Sequence, residues 1–270
     1  MPDANVTIRD LATLEEYQEC CEIQEETWGR GFSERVPAAI LRVSQKIGGV
    51  TAGAFTEGGR MVGFVFGMTG IRDGRLSHWS DMLAVREEAR GHHLGDQLKH
   101  FQREKVRAIG VEMMFWTFDP LVARNAHFNI NRLGARPVEY VVDMYGSNTG
   151  SALHGKVPTD RIVIGWELDK AYTPTAGVDA PRNGDESTPL VNPVSGGTPR
   201  LDLTDGAPTV RLQVPHDSSA LRANGEERVL AWRYAVREAF THYLGRGYQV
   251  SRFVRRGNDA LPYYVLSRSP

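Results

Sequence analysis

Apolar residues recur every second position in short runs and every third or fourth in longer ones, and the two periods interleave along the first 170 residues. Residues 6–9 (VTIR) predict a short strand. Residues 14–28 (LEEYQECCEIQEETW) predict a helix with an imperfect apolar stripe of Leu14, Tyr17, Cys21, Ile23, Glu25 and Trp28, ended by Gly29 and Gly31. A second helix follows in VPAAILRVSQKIGG, with proline near its start and paired glycines after its end. VTAGAFTE, the turn GG and RMVGFVFGMTG form a hairpin, and RLSHWSDMLAV is a further strand. Alternation in that strand places Trp79, Asp81 and Leu83 on one face and His78, Ser80 and Met82 on the other. LGDQLKHFQREKVRAIG is a helix with Leu94, Leu98, Phe101, Lys105 and Ile109 along one side, and VEMMFWTF is a strand. DPLVARNAHFNINRLG carries helix signals at both ends: Asp119 as N-cap, Pro120 at the first position and Gly134 as C-terminal cap. RPVEYVVDMYG and DRIVIGWEL complete a mixed α/β domain over residues 1–170.

Six of the fourteen prolines fall within residues 171–208, among Gly, Ser, Thr and Asp, so this stretch reads as a Pro/Gly-rich linker or an irregular excursion over the surface. Residues 209–270 then read as strand–helix–strand–strand, with Val229, Trp232, Val236, Phe240 and Tyr243 on one helix face. The same order occurs at residues 111–168. Two accounts stay open, a degenerate repeat of that half-domain or the common helix–glycine–strand pattern. A tail of this size is marginal alone, so it is expected to pack on the first domain and not to form an independent module.

Charge changes the picture little. The 32 Lys and Arg balance 33 Asp and Glu, which gives no basic footprint for nucleic acid. Cys20 and Cys21 are adjacent, a poor geometry for a disulfide, and no Cys/His spacing suggests a metal site. MPDANVTIRD lacks a signal-peptide pattern, and no apolar run reaches the ~18 residues of a membrane span. The expectation is a soluble cytoplasmic protein without metal, nucleic-acid or membrane partners; a homodimer is left open. Arg233 and Arg237, four apart in the tail helix, suit either a ligand carboxylate or phosphate or a solvated face paired with Glu227 or Glu238.

Candidate chemistry lies in LAVREEARGHHLG, residues 83–95. A strand, a glycine-bearing turn and a helix start present unpaired N–H groups and the positive helix end at one place, where a phosphate fits and Arg90 adds charge. MLAV followed by Arg90-Gly91-His92-His93-Leu94-Gly95 resembles the R/Q-x-x-G-x-G/A signature of the GNAT superfamily of acyl-CoA-dependent N-acyltransferases, with His93 where the family has its middle glycine. The resemblance covers residues 5 to about 168. It is nearest a branch of predicted acetyltransferases marked by WTFDPLVARNAHFNINRLGA and VPTDR.

The resemblance implies a mixed, mostly antiparallel twisted sheet flanked by helices, with 209–270 as a smaller extension. It implies acetyl-CoA as cosubstrate and a small-molecule or peptide amine as acceptor. The backbone of Leu83, Ala84 and Val85 would pair with the pantetheine arm. The N–H groups of Arg90, Gly91, His92, His93, Leu94 and Gly95 would cradle the pyrophosphate; Asn125 and Asn131 suit either a hydrogen bond to the CoA arm or solvated helix positions, and Asn125 is taken as the contact. Asp81 would be general base, or would hold a cationic amine. At the family's general-acid tyrosine this chain has Ile130, which cannot donate a proton; His127 and Tyr145 are substitutes. A non-catalytic acyl-CoA-binding module is the competing reading.

Overall fold

The computed structural model describes residues 6–146, 149–151, 157–170, 172, 177, 179–182, 184–223, 225–255 and 261–268. Residues 1–5, part of the segment read for targeting signals, lie outside the described residues, as do parts of 171–208. The elements are β1 (Thr7–Asp10), α1 (Leu14–Trp28), α2 (Ala38–Lys46), β2 (Val50–Phe55), β3 (Met61–Arg72), β4 (Arg75–Val85), a 3-10 turn (Glu87–Ala89), α3 (Leu94–Arg107) and β5 (Met113–Phe118). There follow α4 (Ala123–Ala126), a π-helical segment (His127–Arg132), β6 (Arg136–Val141), β7 (Arg161–Glu167), β8 (Val194–Ser195), β9 (Thr198–Pro199), β10 (Thr209–Gln213), α5 (Ser218–Ala223), α6 (Glu226–Leu244), β11 (Tyr248–Val254) and β12 (Tyr263–Arg268). No helix among the described residues is long and apolar enough to cross a membrane.

Seven strands form a sheet in the order β1-β2-β3-β4-β5-β7-β6. The β1–β2, β2–β3, β3–β4 and β6–β7 pairs are antiparallel, and β4–β5 is parallel. The chain divides into two compact units. The first is Met1–Trp116 with Asn148–Gly155 and Glu167–Lys170, and the second is Thr117–Ser147, Lys156–Trp166 and Ala171–Pro270.

In the first unit, Thr13 and Glu16 form a reciprocal capping box that starts α1. Its core-facing residues are Tyr17, Cys20, Ile23 and Gln24; Leu14 is 53% exposed, so the apolar stripe is displaced from the one read in the sequence. Tyr17, Cys20 and Ile23 pack with Leu41, Phe64, Phe66, Met82 and Ala84 into one cluster on the α1–α2 face of the sheet, and Gln24 bonds the Val36 backbone. α3 covers the other face, but its buried residues are Leu94, Leu98, Lys99, Gln102 and Val106. Lys105 is exposed and Ile109 is 47% exposed. The expected apolar stripe is rotated because two polar side chains, Lys99 and Gln102, find hydrogen-bond partners against the sheet.

The second unit holds β6, β7 and the C-terminal extension. The three tail strands form a sheet in the order β10-β12-β11, all antiparallel. This is the order β5-β7-β6 of the large sheet, with α6 standing where α4 stands. Even the irregularity recurs: the register slips at Pro137/Glu139 on β6 and at Val250/Arg252 on β11. Leu190 makes a parallel bridge to Arg211 on the free edge of β10, as β4 runs parallel to β5.

The helix expected from Asp119 starts four residues later, at Ala123. Asp119 accepts from Leu121 N–H within a turn, and its other oxygen takes the Arg233 guanidinium at 2.6 Å. Gly134 does end the segment at φ +68°, where a Cβ would also meet the Tyr172 ring at 2.3 Å. Arg233 and Arg237 are neither on a solvated face nor paired with Glu227 or Glu238. Arg233 is 1% exposed; Arg237 binds Asp160 through Nε (2.8 Å) and Nη2 (2.6 Å). Tyr140 donates to the same Asp160, and Arg161 lies 3.8 Å from Asp119. Asp160 of the VPTDR motif and Asp119 are thus held by the α6 arginines, with Arg161 a second cation beside Asp119. Burial alone would raise the Asp119 pKa, but the charges of Arg233 and Arg161 hold it below the ordinary value.

Arg233→Met strands Asp119 in the interior, so we expect a loss of about 3–5 kcal/mol in urea denaturation. Adding Asp119→Asn removes the stranded charge and restores part of that loss.

Candidate active site

β4 pairs with β5 for three residues only, Ser77–Trp79 against Met113–Phe115. Beyond Trp79 it keeps its ladder with β3 alone, through Ser80↔Gly67, Met82↔Phe66, Leu83↔Val65, Ala84↔Phe64 and Val85↔Gly63. Two residues separate Ser80 from Met82 while their partners are adjacent, so Asp81 is the extra residue of a β-bulge. The bulge changes which face each side chain takes. His78 and Ser80 meet α3, whereas Met82 and Ala84 join the α1–α2 cluster. Leu83 lies on the α3 side, where a Cβ at Gly95 would touch it at 3.5 Å. Asp81 is on the side of Trp79 and Glu34, not that of Leu83. Simple alternation fails here because one inserted residue shifts its phase.

Asp81 is exposed to solvent by area, yet crowding raises its carboxyl pKa. Desolvation is the main cause, the charge of Glu34 adds to it, and a hydrogen bond with Trp79 opposes it.

On the α3 face the polar side chains form one directed chain. Lys99 Nζ donates to Ser80 Oγ at 2.5 Å, and Ser80 donates to Gln102 Oε1 at 2.8 Å. Gln102 Nε2 lies 3.0 Å from His78 Nε2, and His78 Nδ1 lies 2.9 Å from Thr69 Oγ1, which donates to Gly48 O. An amide nitrogen only donates, so the network assigns the His78 proton to Nδ1. Burial, with the Lys99 charge adding to it, pushes His78 down to about 3 and keeps it neutral. Gly67 makes room: a Cβ there would meet His78 Nε2 at 2.3 Å. Sequence reasoning missed Lys99, Gln102, Ser80 and His78 as a group; the one signal available was two polar residues among the spaced apolar positions of α3.

The loop after β4 is exposed from Arg90 to His93. Arg86 anchors its start, with its N–H on Val62 O and its guanidinium 3.0 Å from Glu26. Arg90 Nε donates to Val85 O at 3.2 Å. Gly91 stands at φ +92° and His93 at φ +55°, the N-cap of α3, with no side chain capping the helix. The residue in place of the family's middle glycine therefore adopts the left-handed conformation that a glycine adopts at less cost. The N–H groups of the first turn face outward from a helix end that favours anions. Leu83, Ala84, Val85 and residues 90–95 belong with Asp81 to the first unit.

Asn125, Ile130, His127 and Tyr145 belong to the second. Asn125 is half-buried, with its N–H on Val122 O. His127 lies 3.5 Å from Asp179, and burial lowers its pKa against that charge. Tyr145 shares a hydrogen bond with Thr117 at 3.0 Å. Among the described residues no group of three His, Cys, Asp or Glu side chains could hold a metal ion.

Several solved structures share this architecture. A proposed acetyltransferase from Acinetobacter baylyi ADP1 matches with a TM-score of 0.50 at 16% identity, over 65% of this chain and 98% of that one. A proposed acetyltransferase from Salmonella typhimurium, solved with acetyl-CoA, matches at 0.48 and 20% identity over 64% and 99%. The GNAT-superfamily phosphinothricin acetyltransferase from Sinorhizobium meliloti, solved with acetyl-CoA, gives 0.47 and 19% over 64% and 94%. No protein-family model and no curated protein matches the chain. At these identities the likeness establishes the fold alone, a mixed α/β fold shared with the Acinetobacter protein.

His93→Gly should stabilise the protein by about 1 kcal/mol in chemical denaturation, because it relieves the left-handed side chain at the α3 start.

Proposed function

We propose that the chain is an acyl-CoA-dependent N-acetyltransferase that moves an acetyl group from acetyl-CoA to a primary amine of a small molecule or peptide. The observation that carries this reading is the parting of β4 from β5 after Trp79, with the freed edge leading straight to the α3 N-terminus. An extended pantetheine arm would continue the sheet along Leu83, Ala84 and Val85. The pyrophosphate would rest on the N–H groups of Arg90 to Gly95. The acetyl-CoA named for the Salmonella and Sinorhizobium proteins agrees with that cosubstrate.

Asp81 is the proposed base. Trp79 and Glu34 are its electrostatic neighbours, so the amine would approach from their side while Leu83 lines the other. A raised pKa suits proton abstraction, since an ordinary carboxylate near 3.9 is a weak base at neutral pH. The competing reading, an acyl-CoA-binding module without catalysis, draws support from Ile130 and from the engagement of Tyr145 with Thr117.

Asp81→Asn separates the two. We expect unchanged acetyl-CoA affinity and a loss of roughly 100-fold in turnover, read as release of free CoA thiol across an amine panel. Wild-type kcat should rise with pH through the raised Asp81 pKa. A carboxyl whose folded pKa is raised gives stability below its unfolded pKa and loses it as pH rises through the folded value. The variant should therefore melt no lower than wild type at neutral pH. Unchanged turnover removes Asp81 from the role, and no thiol release by the wild type favours the binding module.

A further inference from the structure

Lys99 is 4% exposed, and the described residues bring no carboxylate to its ammonium group. Its nitrogen touches two strands at one level. On β4 it donates to Ser80, the residue after the last β4–β5 pair and before the bulged Asp81. On β5 it stands 4.1 Å from the centre of the Trp116 ring, and Trp116 follows the last paired residue, Phe115. Lys99 therefore spans the two strands where they begin to part, on the face opposite Asp81. A buried, unpaired lysine is unfavourable for folding, and such groups concentrate at reactive sites.

We propose that Lys99 is the general acid of the acetyl transfer, donating a proton to the CoA sulfur as the carbon–sulfur bond breaks. This rests on the acetyltransferase reading above, and it supplies the donor that Ile130 cannot be. The amine nitrogen attacks the thioester carbon and forms the new C–N bond. The tetrahedral intermediate expels sulfur, which takes its proton from the Lys99 ammonium and leaves as the thiol. The proton lost by the amine passes to Asp81 and then to water, and neutral Lys99 is reprotonated from water when the product departs. The thioester, a free amine and no other reagent balance the step.

The surroundings fit a donor active near neutrality. Burial lowers Lys99 to about 7. Around it, β4 brings Ser80 and His78, the latter neutral and joined to the lysine through Ser80 and Gln102, and β5 brings the Trp116 ring. On α3 itself, Gln102 is tied into the chain, and Asp96 and Arg103 flank the lysine, Asp96 facing His100 and Arg103 bound to Leu168 O. The polar chain from Lys99 runs one way to Gly48 O, which holds the lysine in place and offers no second donor.

The test uses the full chain and two readouts. First, the Lys99 ε-carbon signal is titrated with CoA and with desulfo-CoA. The expected result is a Lys99 pKa raised by CoA and less so by desulfo-CoA; equal shifts, or none, overturn the proposal even in an active enzyme. Second, Lys99→Met should melt no lower than wild type, bind acetyl-CoA equally and turn over roughly 100-fold more slowly. It should also lose the alkaline limb of the kcat profile that the wild type shows above pH of about 7. Wild-type turnover with an unchanged rate and limb in Lys99→Met overturns the acid role alone. Failure of the wild type to release thiol overturns the acetyltransferase reading and the acid role with it.

Discussion

One extra residue in β4 governs the arrangement of the first unit. The bulge at Asp81 bends the strand and increases its local twist, next to the point where pairing with β5 stops. It sends His78 and Ser80 to one face and Met82 and Ala84 to the other, so α3 meets a polar surface and α1–α2 an apolar one. The freed edge from Ser80 to Val85 then points its backbone toward the anion-favouring end of α3. Strand pairing, face assignment and the approach to the helix end thus depend on the same local irregularity.

That irregularity also sets two ionisable groups against each other. Asp81 and Lys99 sit on opposite faces at the same level of the strand, and burial raises one while it lowers the other. Desolvation alone moves both toward neutral pH, a carboxylate upward and an ammonium downward. Two groups tuned in opposite senses are what paired base and acid catalysis requires. In the second unit, charge has a different part. Asp119 and Asp160 are fully engaged by Arg233, Arg161, Arg237 and Tyr140, and removal of one partner leaves a buried charge.

The sequence showed most of the elements because their signals are local. α1 was bounded by periodicity and Gly29, the loop by its glycines and Arg90, and Gly134 by the left-handed end of its segment. The α6 face, Val229 through Tyr243, is buried as its spacing implies. What it did not show depends on partners distant in the chain. Asp119 looked like a helix cap, since nothing nearby tells that Arg233, 114 residues on, would take it. The Asp81 bulge adds a residue without altering composition, so alternation placed Asp81 with Leu83. Lys99 and Gln102 stand outside the apolar spacing of α3, and their polarity carries no sign of Ser80 and His78 across the interface.

The central claim is that the parted edge of β4 and the turn after it receive the acyl carrier. Amide hydrogen exchange of residues 83–85 and 91–95, with and without CoA, addresses it directly. The account predicts slowed exchange confined to these two stretches, as the pantetheine arm covers one and the pyrophosphate the other. Exchange that CoA leaves unchanged there, or protection that appears only elsewhere in the chain, would contradict it.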